Sequence, residues 1–224
     1  MRIKSVRAIP FTFAGTGDRP GNYLFEQPMN LLCVRVETEG AIVGYGEVCD
    51  SYGCNYGRSI QMVIEEALSP LLIGEDLDSV ERLTGKMRGW TRRRLGDQGM
   101  SIQAISGVEI ALWDLLGKVE GKSVSQILGR FRDQIPVYAS STFLEEGPPE
   151  FHLELIEPCL KQGVRGVKVR IGLDYRRDLK TLEGLRKLLG DDIRIMVDGS
   201  EHFSVLTALE IARRLNDIGV SFFE

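Results

Sequence analysis

Lys168 and Arg170 in Gly-Val-Lys-Val-Arg, Asp198 in Ile-Met-Val-Asp-Gly-Ser and Glu224 in Ser-Phe-Phe-Glu each close a short apolar run with strand character. The intervals from Lys168 to Asp198 and from Asp198 to Glu224 are 30 and 26 residues, room for one strand, one amphipathic helix and two loops. That is the repeat of a βα barrel, where the C-terminal strand ends converge on one face and sequence-distant residues become neighbours around a pocket. A lysine, a second cation and two carboxylates would meet at one rim. The chemistry such a set predicts is a carboxylate-bound metal beside a lysine.

Lys168 and Arg170 alternate with Val167, Val169 and Ile171, so both cations project to the same side of their strand. A lysine set among other cations and apolar walls has its ammonium form disfavoured, which would lower its pKa towards general-base duty. Arg170 keeps its proton in nearly any setting and suits clamping a carboxylate. The structural alternative pairs both cations with Asp174 or Asp178 of the following helix. Asp198 and Glu224 offer hard oxygens at one height, which suits Mg2+ with its preference for one or two carboxylates plus waters and substrate oxygens. His152 reads as part of a helix start, and His202, after the Asp198 loop, as solvent-facing.

The elements that must position these residues are legible from periodicity. Ile3 to Ile9 alternates apolar and polar side chains as a half-buried strand does. Leu31 to Val36 and Ala41 to Glu47 follow as two more strands across Thr38-Glu39-Gly40, with Gly40 expected to supply a positive φ, giving an antiparallel meander. From Ser59 the period lengthens: Ile60, Val63, Ile64, Ala67 and Leu68 share a helical face, with an end expected at Ser69-Pro70. Ser101 to Val119 is apolar over too wide a face for a surface helix and is expected at the centre of the unit. Within it Asp114 is read as the i,i+4 partner of Lys118.

After Gly129 strand and helix alternate: strands over 135–142, 166–171, 193–197 and 220–223, helices over 149–161, 175–189 and 204–216. This predicts parallel strands joined by right-handed crossovers. The fold class expected is an α+β domain over residues 1–130 followed by an α/β half-barrel over 131–224. A full (β/α)8 barrel takes about 250 residues, whereas about 90 follow the boundary, so the expectation is the first four strands of a barrel with exposed sheet edges.

Composition excludes several classes. With 43% hydrophobic and 27% charged residues the chain has the balance of a globular protein, and a net charge of −4 leaves no footprint for nucleic acid. The basic run Thr91 to Arg94 is short and reads as a solvated helix end. No apolar run approaches the ~18 residues of a membrane span, and the N-terminus is unlike a signal peptide, so a cytoplasmic location is expected. Cys33, Cys49, Cys54 and Cys159 lack zinc-site spacing and are read as buried small hydrophobes rather than disulfides.

The ordered series of the opening meander, IALWDLLGK at 110–118, GKSVSQILG, PVYAS at 136–140, GVKVR, VDGS and FFE resembles the enolase superfamily in its mandelate racemase and muconate lactonizing enzyme branches. The resemblance covers essentially the whole chain. It implies an N-terminal capping domain over a modified TIM barrel whose third, fourth and fifth strands each end in an acidic Mg2+ ligand. On that basis Asp198 and Glu224 are expected as the third- and fourth-strand metal ligands, with the fifth-strand ligand outside this sequence. Lys168 and Arg170 occupy the two positions of the second-strand Lys-x-Lys motif, and Arg170 is a departure that disfavours a base on each substrate face. Ser200 is expected to contact substrate. Residues 14–28 and 49–57 resemble the specificity loops of the cap, where Tyr52, Asn55 and Tyr56 suit a polyhydroxylated chain.

The function implied is Mg2+-dependent removal of a proton α to a carboxylate through an enediolate, with dehydration of a sugar acid to a 2-keto-3-deoxy acid as the leading expectation. A racemase, epimerase or cycloisomerase of the same superfamily is the first alternative. A noncatalytic half-barrel needing a complementary chain is the second. The partner expected is a small-molecule carboxylate, and family analogy adds a homo-oligomer.

Overall fold

The computed structural model describes residues 1–13, 29–48 and 57–224. They divide into two compact units whose boundary falls between Asp133 and Gln134. The specificity-loop residues Tyr52, Asn55 and Tyr56, and Cys49 and Cys54, lie outside the described residues.

The first unit opens with the expected meander: β1 (Ile3–Phe13), β2 (Met29–Thr38) and β3 (Val43–Val48), antiparallel in that order. The register pairs Val6 with Val36, Ala8 with Val34 and Val34 with Gly46, which sends Val6, Ala8, Leu32, Val34 and Val36 to one buried face. Every second residue belongs to the core, so a one-residue slip would expose the entire set.

The β2–β3 turn differs from expectation in one detail. The positive φ, 61°, falls on Ala41 and not on Gly40. Ala41 donates its amide to the Thr38 carbonyl at 3.0 Å, and Thr38 donates to Ile42 across the loop at 3.0 Å. Three residues thus bridge Thr38 and Ile42, and in such a loop the left-handed residue is the third, after a type I turn.

The helix after β3 does not stop at Pro70. An α-helix, α1 (Gly57–Met62), passes into a π-helical stretch, Val63–Leu68, and then into α2 (Ser69–Leu72). Pro70 directly follows the π-helical stretch, which lets the helical run continue past it to Leu72. A further helix, α3 (Val80–Arg92), is absent from the sequence expectations above. Charged residues such as Glu81, Arg82, Lys86 and Arg88 dilute its apolar signal, yet Val80, Leu83 and Met87 are buried at helical spacing behind a Ser79 N-cap that accepts the Arg82 amide at 3.1 Å. The arginines at its end are exposed, as read from sequence.

The 21-residue α4 (Met100–Glu120) is the centre of the unit, burying Ala104, Ile105, Val108, Ala111, Leu112 and Leu115. It lies against β3 through glycines. A Cβ on Gly46 would sit 2.7 Å from the Ala111 amide nitrogen, and one on Gly44 would sit 2.8 Å from that of Leu115. Asp114 accepts from Lys118 at 2.6 Å and from the Tyr45 amide at 2.8 Å, so it ties helix to sheet. A short capped helix, α5 (Val124–Ile127), follows.

In the second unit β4 (Ala139–Phe143), β5 (Gly166–Arg170) and β6 (Arg194–Asp198) form a parallel sheet in sequence order. The helices α6 (Pro149–Lys161), α7 (Tyr175–Leu189) and α8 (Val205–Asp217) alternate with them. β4 starts later than the apolar pattern suggests, since pairing begins at Ala139 opposite Val167 and β5 offers nothing to residues 135–138. The predicted fourth strand is a single bridge, Val197 with Phe223, but its backbone runs along β6 in parallel fashion. Ser221 donates to Ile195 at 2.8 Å, Val197 to Phe222 at 3.1 Å and Glu224 to Val197 at 2.8 Å. Val167, Val169, Ile195 and Val197 are fully buried, as strands covered on both faces require. Cys33 and Cys159 are unpaired and half-buried, less enclosed than expected. No helix among the described residues is long and apolar enough to cross a membrane.

The sheet–helix contact makes a specific demand on residue 46. Gly46→Ala should lower unfolding free energy by about 2–4 kcal/mol, because the clash is with backbone that cannot rotate away. Gly85→Ala, exposed on α3 with open space at its Cβ, should instead be neutral or gain up to about 1 kcal/mol. Urea unfolding of both variants checks the contrast.

Candidate functional site

Parallel pairing sets the geometry. Lys168 lies opposite Met196, and Arg170 opposite Asp198, so the last residues of β5 and β6 arrive at one height. The hydrogen bonds of residues 221–224 to β6 bring Glu224 to the same rim. There Lys168 Nζ donates to Asp198 Oδ2 at 3.1 Å and to Glu224 Oε2 at 2.7 Å, while Arg170 Nε donates to Asp198 Oδ2 at 3.3 Å. The Lys168, Asp198 and Arg170 side chains are 9%, 12% and 23% exposed, so these charges are largely withdrawn from water. Glu224 is 56% exposed.

The structural alternative for the two cations does not hold. Asp174 caps α7 by accepting the Arg177 amide, and the fully buried Asp178 accepts the Gly172 amide at 2.7 Å and pairs with Arg177. Both acids serve the β5–α7 connection. Arg170 instead spans Asp198 and Phe143, with its guanidinium carbon 5.9 Å from the ring centroid. Its two Nη atoms have no hydrogen-bond partner among the described residues.

The expected lowering of the Lys168 pKa is reversed. The hydrogen bond that its ammonium donates to Glu224 leads, burial opposes it, and the bond to Asp198 adds to it, so the ammonium is held above the ordinary lysine value. The expectation assumed cations and apolar walls around the amine, whereas its nearest charged partners are two carboxylates. Asp198 shows the mirror effect. Burial pushes its pKa up, but the Ser200 amide, Lys168 and Arg170 together outweigh burial and leave it below the usual aspartate value.

The remaining candidates sort clearly. Ser200 is half-buried, and its backbone amide donates to Asp198 Oδ1 at 2.8 Å, a contact that residue type alone did not reveal. His202 is exposed beside Phe203. His152 is fully buried, with Nε2 3.4 Å from the Leu144 carbonyl and 3.2 Å from that of Gly147, so it anchors the connection after β4. Phe143, opposite Arg170 in the β4–β5 register, is a rim residue that the motif pattern did not single out. A separate apolar cleft of about 570 Å³, lined by Tyr138, Gly166, Met196 and Phe222, contains none of the charged set.

Among the described residues no three His, Cys, Asp or Glu side chains gather to hold a metal. The rim does offer two carboxylates whose oxygens converge on one positively charged atom, Lys168 Nζ. Hard oxygen donors aimed at a common point of positive charge fit a small divalent cation that takes its other ligands elsewhere.

An α+β unit followed by a parallel βα unit, with Asp198 closing β6 and Glu224 beside it, is the arrangement of the opening part of a βα barrel. Residues 25–129 match the family described as mandelate racemase/muconate lactonizing enzyme, N-terminal domain, and residues 153–224 match the enolase C-terminal domain-like family. The chain belongs to the enolase superfamily, in its mandelate racemase and muconate lactonizing enzyme group. It is 35% identical to an arabinonate dehydratase of Saccharolobus solfataricus over 99% of this chain and 60% of that protein. It is 29% identical to a D-galactarolactone cycloisomerase of Agrobacterium fabrum, over 85% of this chain and 50% of that protein. Muconate lactonizing enzyme from Pseudomonas putida superposes with a TM-score of 0.83 at 26% identity, covering 100% of this chain and 59% of that one. An enolase-superfamily member from Polaromonas sp. JS666 superposes with a TM-score of 0.86 at 26% identity, covering 100% and 58%. The chain thus spans about 50–60% of the length of the curated relatives named here.

His152 makes a pH prediction independent of the carboxylates. Burial depresses its pKa, opposed by its bonds to the Leu144 and Gly147 carbonyls and by the charge of Asp178. The neutral ring is therefore favoured in the folded state. Its contribution is complete above the unfolded value of about 6.5 and is lost as pH falls through the lower folded value. His152→Gln, which keeps an N–H donor but cannot titrate, should flatten this acid limb of the urea midpoint; an unchanged slope would assign the limb to other groups.

Proposed function

We propose that this chain carries the capping domain and the opening strands of a Mg2+-dependent lyase that dehydrates a sugar acid to a 2-keto-3-deoxy acid. The observation supporting this most directly is the rim constellation, in which Lys168 shares Asp198 with Arg170 and reaches Glu224. Relatives that include an arabinonate dehydratase and an L-talarate/galactarate dehydratase support a sugar acid as the substrate class.

Asp198 and Glu224 would hold the Mg2+, which supplies charge stabilisation for a substrate carboxylate and for the enediolate that deprotonation generates. Were their charge directed to such a cation, these two carboxylates would stabilise the Lys168 ammonium less, which would favour Lys168 as the residue that takes the α-proton. Arg170 stays charged throughout and acts as a donor. Its unengaged Nη pair presents the planar fork that suits a carboxylate or a vicinal pair of hydroxyls. Ser200, Tyr52 and Asn55 are proposed to contact the polyhydroxylated chain. A cytoplasmic homo-oligomer remains part of this reading by family analogy.

A racemase, epimerase or cycloisomerase is the second reading, favoured by the presence of Lys168 as a base on one face and by the cycloisomerase relatives.

Two measurements test the leading reading. Titration of Mg2+ into the intact protein should show saturable binding that Asp198→Asn weakens by at least about tenfold, as expected for loss of a ligand charge. A screen of acid sugars should show 2-keto acid formation, with Lys168→Met slower by about 10²–10⁴-fold. Exchange of the substrate α-hydrogen with solvent deuterium without loss of water would replace this reading by the second.

A further inference from the structure

The turn after β6 contains an arrangement that the proposed metal chemistry does not by itself require. Ser200 and Glu201 are consecutive non-glycine residues with positive φ, 48° and 61°. Among the described residues the only other one is Ala41, in the β2–β3 turn. L-residues rarely hold the left-handed region twice in succession, and such conformations persist only where the surroundings dictate them. The surroundings here are visible. A Cβ on Gly199 would sit 3.0 Å from the Phe203 ring and 3.1 Å from the Phe223 ring, so the turn is pinched between two aromatic side chains. The His202 amide closes it by donating to the Gly199 carbonyl at 3.1 Å.

The turn makes two contacts, one to each proposed ligand residue. The Ser200 amide donates to Asp198 Oδ1 at 2.8 Å, and the Gly199 amide donates to the Glu224 carbonyl at 2.9 Å. The first engages one carboxylate oxygen and leaves Oδ2, the atom that Lys168 and Arg170 contact, directed into the rim. The second fixes the backbone from which the Glu224 side chain departs. The Glu201 side chain is exposed, so its contribution to the turn lies in the backbone conformation at that residue.

We infer that the Gly199-Ser200-Glu201 turn, left-handed at Ser200 and Glu201, is a positioning device for the proposed metal-binding carboxylates, locking Asp198 Oδ1 and the Glu224 main chain so that one oxygen of Asp198 stays aimed at the cation. This rests on the Mg2+ reading above for its consequence and on the turn geometry alone for its mechanism. Positioning contacts behind metal ligands typically change affinity by about 10–100-fold.

The test varies tolerance for positive φ at the exposed residue 201. Asn and Gly accept the left-handed region, whereas a β-branched residue strongly resists it. Glu201→Val should weaken Mg2+ binding to the intact protein by about tenfold or more and accelerate hydrogen exchange of the Ser200 amide. Glu201→Asn and Glu201→Gly should keep affinity within about twofold and keep that amide protected. Circular dichroism establishes that each variant is folded; should Glu201→Val not fold, Glu201→Ala supplies the same comparison with a milder effect. Equal affinity and equal protection in all variants would overturn the inference, as would equal losses in the Val, Asn and Gly forms, which would implicate the glutamate side chain. If the unsubstituted protein takes up no Mg2+, the metal reading falls, and the turn is judged on Ser200 exchange alone: protection lost only in the Val or Ala form supports it, and protection unchanged refutes it.

Discussion

Lys168, Arg170, Asp198 and Glu224 are brought together by the parallel course of β5, β6 and residues 221–224, and the largely buried charges of Lys168 and Asp198 are tolerable only because these groups compensate one another. Withdrawing a lone carboxylate or ammonium from water costs several kcal/mol, which a paired arrangement with additional hydrogen bonds offsets. Asp198 therefore draws on three donors at once: the Lys168 ammonium, the Arg170 guanidinium and the Ser200 amide. Removing any one of them leaves charge less well matched at a site that admits little water. The β5–β6 register and the course of residues 221–224 beside β6 are constrained by this requirement as much as by the apolar core beneath.

That core explains why the rim can be held so closely. Val167, Val169, Ile195 and Val197 fill the interior between the strands and their flanking helices, leaving little freedom for one strand to slide against another. In the first unit glycine performs a related task. At Gly44 and Gly46 the absence of a side chain lets β3 and α4 approach until backbone meets backbone, a contact that larger residues would hold apart, and Gly107 on α4 leaves room for the Val34 and Val48 side chains.

Lysine at the site illustrates how the same residue type can be read in opposite directions. Surrounded by cations it would shed its proton readily; bonded to Asp198 and Glu224 it retains it. The protonation of Lys168 is thus tied to the two carboxylates it contacts. Arg170 has no such ambivalence, because its guanidinium remains charged in either condition.

Periodicity and spacing by themselves determined the meander, the central helix, the strand–helix alternation of the second unit and the gathering of Lys168, Arg170, Asp198 and Glu224 at one rim. Each follows from local rules: alternation for strands, a 3.6-residue repeat for helices, and the barrel repeat for residues about thirty positions apart. The family resemblance was legible for the same reason, since its motifs sit at strand ends and helix faces that the pattern locates. Tertiary structure decided the features that depend on partners distant in sequence. Lys168 has a raised pKa because Glu224, 56 positions on, lies 2.7 Å away. The left-handed residue of the β2–β3 turn is Ala41 because the loop closes on Thr38, and β4 begins late because β5 offers it no earlier partner. Helix α3 emerges from a highly charged segment because α4 and the rest of the first core cover its few apolar residues. Hydrogen bonding, burial and charge compensation are properties of the assembled neighbourhood, and a linear pattern records which residues are available for them without recording which will meet.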